Sequence, residues 1–123
     1  MSAQQIHFFF QLRDQVKLYH WQTHLYARHK ATDDVIKRLD DHIDLFVEVY
    51  MGKYGRPSIT RTTNMIQVKN MADKSAVKFI KDCISHLTGP FTKSLKGADT
   101  DLLNIKDEIL GELNKLLYLF TLG

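Results

Sequence analysis

A scarcity of helix-breaking residues is the feature that most constrains the fold of this chain. Its 123 residues include only two prolines and six glycines. Such sparse breakers favour long helices over many short strands. A chain of this length usually folds as one domain and can bury a substantial core. The sequence therefore predicts a single all-α domain covering residues 1–123.

Apolar residues recur at helical spacing in four segments of the chain. The predicted helices cover residues 3 to about 22, 25–53, 72–96 and 101 to about 120. Each predicted helix has an inward-facing stripe. The stripes are Ile6, Phe9, Leu12, Val16 and His20; Val35, Ile36, Leu39, Ile43, Phe46, Val47 and Tyr50; Ala76, Val77, Phe79, Ile80, Ile84, Leu87, Phe91 and Leu95; and Leu102, Ile105, Ile109, Leu113, Leu116 and Phe120.

The predicted links between these helices differ in length. Residues 56–70 form a long connection, which should cross the end of the bundle or run along its side. Within the third helix, Gly89 and Pro90 should cause a kink or a split. Four helices with mostly short links predict a four-helix bundle, and the long link between helices 2 and 3 permits the crossover of ferritin-like folds.

The boundary between the first two helices is ambiguous, because neither glycine nor proline separates them. One interpretation places a break at residues 22–24, with Thr23 as the cap of the second helix. The other is a single helix from residue 3 to about 30, with Thr32 capping the next. At the remaining helix starts, the expected caps are Ser2 and either Asp99 or Thr100.

Composition and charge exclude several classes of protein. The net charge of +3 comes from basic residues spread along the chain, which gives little support for nucleic-acid binding. The single cysteine, Cys83, excludes an internal disulfide and is consistent with a reducing compartment. We expect its side chain to be buried and to have no catalytic role. No segment resembles a signal peptide or is long enough to span a membrane. We therefore expect a cytoplasmic protein, or one packaged inside a larger particle such as a virion.

Histidines and carboxylates are concentrated in one part of the sequence. Three histidines, His20, His24 and His29, fall within ten residues and are followed by Asp33, Asp44 and Glu48. Histidine nitrogen and carboxylate oxygen are ligands that suit iron, manganese and zinc. The spacing from His29 to Asp33, and from Asp44 to Glu48, places each pair on one helix face.

These residues could meet only under two conditions. On one continuous helix, His20 and His29 would lie about 13 Å apart along the axis, so they need the turn at residues 22–24. Asp44 and Glu48 lie roughly 22–28 Å beyond His29 on the same helix, so they need a second copy of the chain. A two-fold axis near residues 37–39 would pair antiparallel helices and create two identical sites in an isologous dimer.

A simpler interpretation of the acidic residues stays open at this point. The second helix also carries Lys37 and Arg38. These could form i,i+4 salt bridges on a solvated face with Asp40, Asp41, Asp44 and Glu48. In that case the carboxylates would serve only solubility.

The order His20-Trp21, His29, Asp33, Asp44, Glu48 resembles the signature of the Dps or mini-ferritin family. The chain is also similar to small ferritin-like proteins of large DNA viruses, which carry similar His-Trp-Gln-Thr and Tyr-Ala-Arg-His-Lys-Ala stretches. The resemblance implies a ferritin-like bundle and an iron site that oxidises Fe²⁺ with peroxide or dioxygen. The implied ligands are His20, His29 and Asp33 of one subunit with Asp44 and Glu48 of its two-fold mate.

The chain departs from that family in several respects: it is shorter than most members, and it lacks the Glu-x-x-His pairs of the larger ferritin-like proteins. The two histidines are closer together than in the family, which makes His24 a candidate extra ligand. The lysine-rich tail is missing, so DNA association is not strongly expected. The resemblance further implies a homodimer at least, with a higher-order shell as an option and zinc or manganese as substitute metals. The alternative is a non-enzymatic structural or packaging protein that keeps the bundle.

Overall fold

The computed structural model describes the backbone of residues 2–122 and the side chains of residues 3–122. Its helices are α1 (Ser2–Gln22), α2 (Tyr26–Tyr54), α3 (Asp73–His86) and α4 (Thr100–Leu119), with a π-helical turn at Leu87–Phe91. Residues 2–122 contain no β-strand. The prediction of an all-α chain with four helices is confirmed. The predicted cap at Ser2 lies outside the described side chains.

The core lies where α2 packs against α1 and α4, while α3 packs on α4. Phe9, Phe46 and Phe91 meet at its centre, with ring centroids 5.3–5.4 Å apart. This cluster joins α1, α2 and the π-helical turn. Each apolar side chain buried in this way contributes roughly 1.5–3 kcal/mol. The fully buried members of the predicted stripes include Leu12, Leu39, Leu87, Leu102, Ile109 and Leu113.

The chain breaks between α1 and α2 at residues 23–25, close to the predicted position. The alternative of one helix through residue 30 is wrong. The prediction that Thr23 caps α2 is also wrong, because Leu25 occupies the cap position without a side-chain hydrogen bond. The Thr23 hydroxyl instead accepts a hydrogen bond from the Leu25 N–H at 3.2 Å and donates one to Asp73 at 3.0 Å. Thr32 lies inside α2 rather than at its start.

The connection from α2 to α3, residues 55–72, runs along the side of α1. The Gln15 side chain bonds both backbone groups of Lys69, at 2.7 Å to the carbonyl and 3.0 Å from the N–H. Further along α1, Gln22 accepts a hydrogen bond from the Met71 N–H at 3.1 Å. Gly55 starts the connection with a φ of 92°, which glycine adopts more readily than other residues.

The connection is a crossover that leaves α2 and α3 parallel. It carries the chain from the beginning of α1, where His7 bonds the Met65 carbonyl, to the end of α1 at Gln22. From there α3 returns towards the beginning of α1, where the His86 ring lies 4.4 Å from that of Phe8. The helices therefore run up, down, down and up, with a single long crossover.

The predicted disruption at Gly89 and Pro90 is confirmed. The α-helix ends at His86, and the chain widens into the π-helical turn Leu87–Phe91. Pro90 has no N–H for the helical ladder, which explains the irregularity. The Thr92 hydroxyl donates to the Leu87 carbonyl at 2.6 Å and so stabilises the wider turn.

Asp99 occupies the cap position of α4 but does not cap it with its side chain. Its carboxylate accepts hydrogen bonds from the Tyr54 hydroxyl at 2.6 and 2.7 Å and lies 3.1 Å from Lys53 Nζ. The predicted cap position is confirmed, but the carboxylate makes no capping hydrogen bond because these two side chains at the end of α2 bind it instead. The interaction fastens the end of α2 to the start of α4.

We predict that Gln15→Leu lowers the free energy of unfolding by about 1–3 kcal/mol, because it leaves both backbone groups of Lys69 without their partner. The matched control is Gln11→Leu, the same change on the same helix at a side chain that takes part in none of these bonds. The control should stay within about 0.5 kcal/mol of wild type. Urea unfolding measures both; equal losses would show that Gln15 does not anchor the connection.

Candidate metal site

The turn at residues 23–25 brings His20 and His29 face to face. Their ring centroids are 4.0 Å apart, and the ring planes are inclined by 17°. His20 belongs to the last turn of α1 and is 6% exposed, whereas His29 in the first turn of α2 is exposed. The hairpin thus joins two histidines that a continuous helix would have kept apart.

Hydrogen bonds hold both rings in defined orientations. Nδ1 of His20 lies 2.9 Å from the His29 carbonyl and 2.9 Å from the Thr32 hydroxyl, and Nδ1 of His29 lies 3.0 Å from the His20 carbonyl. Because a carbonyl oxygen only accepts, each Nδ1 must carry the hydrogen. Neither Nε2 has a hydrogen-bond partner among the described residues. Metal-binding histidines typically have this arrangement, with one nitrogen donating to a carbonyl and the other free.

The electrostatic surroundings keep His20 in its neutral form. Burial lowers the pKa of His20, and the nearby His29 ring adds to the lowering because two imidazolium charges would repel each other. A neutral imidazole with hydrogen on Nδ1 has its lone pair on Nε2, which is the form that binds metal ions. His20 is therefore prepared as a ligand at neutral pH.

Asp33 lies on the same side of α2 as His29, one turn further on. A hydrogen bond from Lys37, with 3.3 Å between Nζ and Oδ2, lowers the pKa of Asp33, and the positive charge of Lys37 adds to the lowering. The Lys37 side chain is 73% exposed, so this ion pair is weak and readily exchanged. Among residues 2–122, however, no three His, Cys, Asp or Glu side chains converge closely enough to hold a metal ion.

Asp44 and Glu48 lie far from the histidine pair within one chain. Both are exposed on α2, and Asp44 is eleven residues beyond Asp33, about three helical turns, so the two aspartates share a face. Neither Asp44 nor Glu48 forms an ion pair among the described residues.

The salt bridges of the solvated-face interpretation are not formed. Lys37 pairs with Asp33, and Arg38 approaches Glu112 at 3.9 Å. Asp40 pairs with Arg13 of α1, at 3.0 Å. The two basic residues thus bind other partners, but the four carboxylates are all exposed, as the solvated-face interpretation expects.

His24 is exposed in the turn between the helices. The neighbouring Thr23 donates a hydrogen bond to Asp73 at 3.0 Å, so this turn contacts the beginning of α3. No hydrogen bond among the described residues joins His24 to the histidine pair.

A buried arginine beside the histidine pair is the feature that sequence reasoning missed. Arg28 Nη1 donates to the Tyr19 hydroxyl at 2.8 Å and to the Asp73 carbonyl at 2.7 Å, and Nη2 donates to the Phe120 carbonyl at 3.3 Å. The guanidinium carbon lies 4.4 Å from the Phe120 ring centroid. One side chain therefore connects α1, α2, the start of α3 and the end of α4.

The contact between Arg28 and Tyr19 lies next to the histidine pair. Tyr19 and Arg28 each precede one member of the histidine pair, so the two pairs align across the same hairpin with the same nine-residue separation. That repeated spacing is the signal in the sequence that could have revealed the contact. The distant partners Asp73 and Phe120 have no such signal.

Comparison with known proteins now gives the chain a family. Residues 20–120 match a family of unknown function, DUF5856. The chain belongs to this family. The matched segment begins at His20 and contains all the other predicted ligands.

One relative of this DUF5856 chain comes from a bacterial virus. It is an uncharacterized 14.6 kDa protein from the mobD-ri intergenic region of Enterobacteria phage T4, and the two are 38% identical. The alignment covers 61% of this chain and 70% of the phage protein. No solved structure matches the chain. None of the helices between residues 2 and 122 has the length and apolar character needed to cross a membrane.

We predict that the pH dependence of stability includes a contribution from His20. Its pKa in the folded chain lies below the ordinary value of 6.5, so the unfolded chain binds more protons in that range. The contribution of His20 to the free energy of unfolding is complete above pH 6.5 and is lost as the pH falls through the lower, folded-state pKa.

The variant His20→Asn keeps a donor near the position of Nδ1 but has no imidazole to protonate. Between pH 7.5 and 5, its free energy of unfolding should therefore fall less steeply than that of wild type. His24→Asn is the matched control and should keep the wild-type slope, because His24 is exposed and bonded to neither ring. Identical slopes for all three proteins would show that burial of His20 has no effect on proton binding.

Proposed function

We propose that this DUF5856 chain is a ferroxidase of mini-ferritin type, whose sites are each shared between two subunits. The observation that carries the proposal is the histidine pair, in which both Nδ1 atoms donate to carbonyls and neither Nε2 atom has a partner among residues 3–122. Such donors, with nearby carboxylates, suit iron. Zinc or manganese could occupy the same ligands.

The direction of the helices supports a ferritin-like bundle. Four-helix bundles with one long crossover connection are typical of ferritin-like folds, and the connection over residues 55–72 is such a crossover. The proposal adds that two bundles associate through α2, the helix that carries four of the five ligands.

The spacing of the ligands on α2 supports a two-fold axis. An axis near residues 38 and 39 that sets His29 opposite the partner's Glu48 also sets Asp33 opposite the partner's Asp44. It also brings Lys37 opposite the partner's Asp40, which gives charges of opposite sign. One symmetry operation therefore completes both halves of the ligand set and creates two identical sites.

Asp44 and Glu48 have a physical reason to bind a cation. They form a like-charge i,i+4 pair, which destabilises a helix by a few tenths of a kcal/mol. The residues three and four positions away from either one include no lysine or arginine. A metal ion held by the partner's histidines would relieve this repulsion.

Iron is the substrate in this proposal. Two Fe²⁺ ions each give up one electron, and one peroxide takes up both electrons with two protons to form two waters; dioxygen is the alternative oxidant. The three carboxylates of a site favour the more highly charged Fe³⁺. The protein supplies the ligands and the electrostatic environment, while the iron carries out the redox chemistry.

The test uses two variants that damage opposite halves of the site. His29→Ala and Asp44→Ala should each lose iron oxidation alone, because every site in either homodimer lacks one ligand. After mixing and re-pairing, half of the dimers contain both chains, and each of these has one intact site. The mixture should therefore recover about a quarter of the wild-type rate.

Asp34→Ala is the matched control for the carboxylate variant, since Asp34 is exposed on another face of the same helix. It should oxidise iron at the wild-type rate. Full activity of either variant alone would contradict the shared site. So would a mixture without activity in which native mass spectrometry shows heterodimers. The remaining interpretation would then be a structural or packaging protein without turnover.

A further inference from the structure

A cleft of about 620 Å³ lies between the beginning of α1, the end of α3 and the long connection. Its volume is within the range of small-molecule sites. His7, which lines it, is thirteen residues before His20 on α1, so the cleft is about 20 Å from the histidine pair. It is therefore separate from the proposed iron site.

Aromatic side chains form part of the wall of this cleft. Phe8, Phe79 and His86 all line it, and the rings of Phe8 and His86 are 4.4 Å apart with planes inclined by 30°. His86 is half-buried at the point where α3 passes into the π-helical turn. Irregular turns of this kind frequently occur at functional sites. The wall provides flat apolar surfaces for a planar ring.

Side-chain amides on α1 provide free hydrogen-bonding groups. Of the five glutamines on this helix, Gln5, Gln15 and Gln22 bond to other segments of the chain. The remaining two, Gln4 and Gln11, both line the cleft and have no hydrogen-bond partner among the described residues. An amide can both donate and accept, which suits the edge of a heteroaromatic ring.

The segment that contains the long connection and α3 is positively charged, in contrast to the even spread expected from the sequence. Residues 55–98 contain eight Lys and Arg against two Asp and Glu, a net charge of +6, whereas the rest of the chain carries −3. Lys69 lines the cleft, and Arg61 lines an adjoining cavity of about 260 Å³ that shares His7 and Gln11. The carboxylate in the wall, Asp82, is paired with Lys78 at 2.8 Å.

We infer that this cleft binds a nucleotide, with the base against Phe8 and Phe79, its edge on Gln4 and Gln11, and the phosphate near Lys69 and Arg61. Aromatic stacking together with a cation for the phosphate is the recognition mode that nucleotides share with single-stranded nucleic acids. The same chemistry could therefore be presented by a free nucleotide or by the end of a strand.

The test is calorimetric titration of the full chain with adenosine 5′-monophosphate, adenosine, inorganic phosphate and a short single-stranded oligonucleotide. Lys69→Glu should weaken nucleotide binding by about tenfold, because it removes the charge that pairs with the phosphate. Lys93→Glu is the matched control, an equal change of charge at an exposed lysine outside the cleft, and should leave affinity within about twofold.

A second variant tests the aromatic wall without altering charge. Phe79→Leu should weaken both adenosine and the monophosphate by about tenfold, through lost stacking. Binding of the monophosphate that is weakened by Lys69→Glu identifies a free nucleotide as the ligand. Binding of the oligonucleotide alone, weakened by the same substitution, identifies a strand. The inference is overturned if neither binds at millimolar concentration. It is also overturned if Lys93→Glu weakens binding as much as Lys69→Glu, since attraction would then be unspecific.

Discussion

The reciprocal hydrogen bonds between His20 and His29 are the interaction on which the proposed chemistry depends. Each ring donates from Nδ1 to the backbone carbonyl of the other residue, so each is fixed in position and in tautomer. Because the rings are stacked, their Nε2 lone pairs lie in nearly parallel planes, so each histidine held in this way would bind its own iron ion of the site. Next to the histidines, the hydrogen bond from Arg28 to Tyr19 joins the same two helices on their buried side. Breaking it would leave a buried guanidinium without a partner, which is costly.

The length of α2 is the second constraint. This helix has 29 residues, and His29 lies too far from the Asp44–Glu48 pair to share an ion with it within one chain. A straight helix cannot bring its own ends together, so the proposed ligand set requires a second chain. The account therefore links catalysis to association: a dissociated chain would have both halves of a site but no complete one.

Local patterns predicted the four helices well because they reflect local physics. The spacing of apolar residues located the four helices, and Pro90 located the irregularity at the end of the third. Arg28 and Asp99 could not be predicted in the same way, because their partners lie far along the chain: Asp73 and Phe120 for the first, Tyr54 for the second. The cleft between α1 and α3 likewise depends on segments that only the crossover connection brings together.

The central claim is that one iron site contains residues from two chains. Anomalous diffraction at the iron absorption edge, from crystals soaked in Fe²⁺, tests it most directly. The account predicts two equivalent groups of peaks per dimer, each between His20, His29 and Asp33 of one chain and the partner's Asp44 and Glu48. Peaks confined to ligands of a single chain, or no ordered iron at the histidine pair in a protein that oxidises iron, would contradict it.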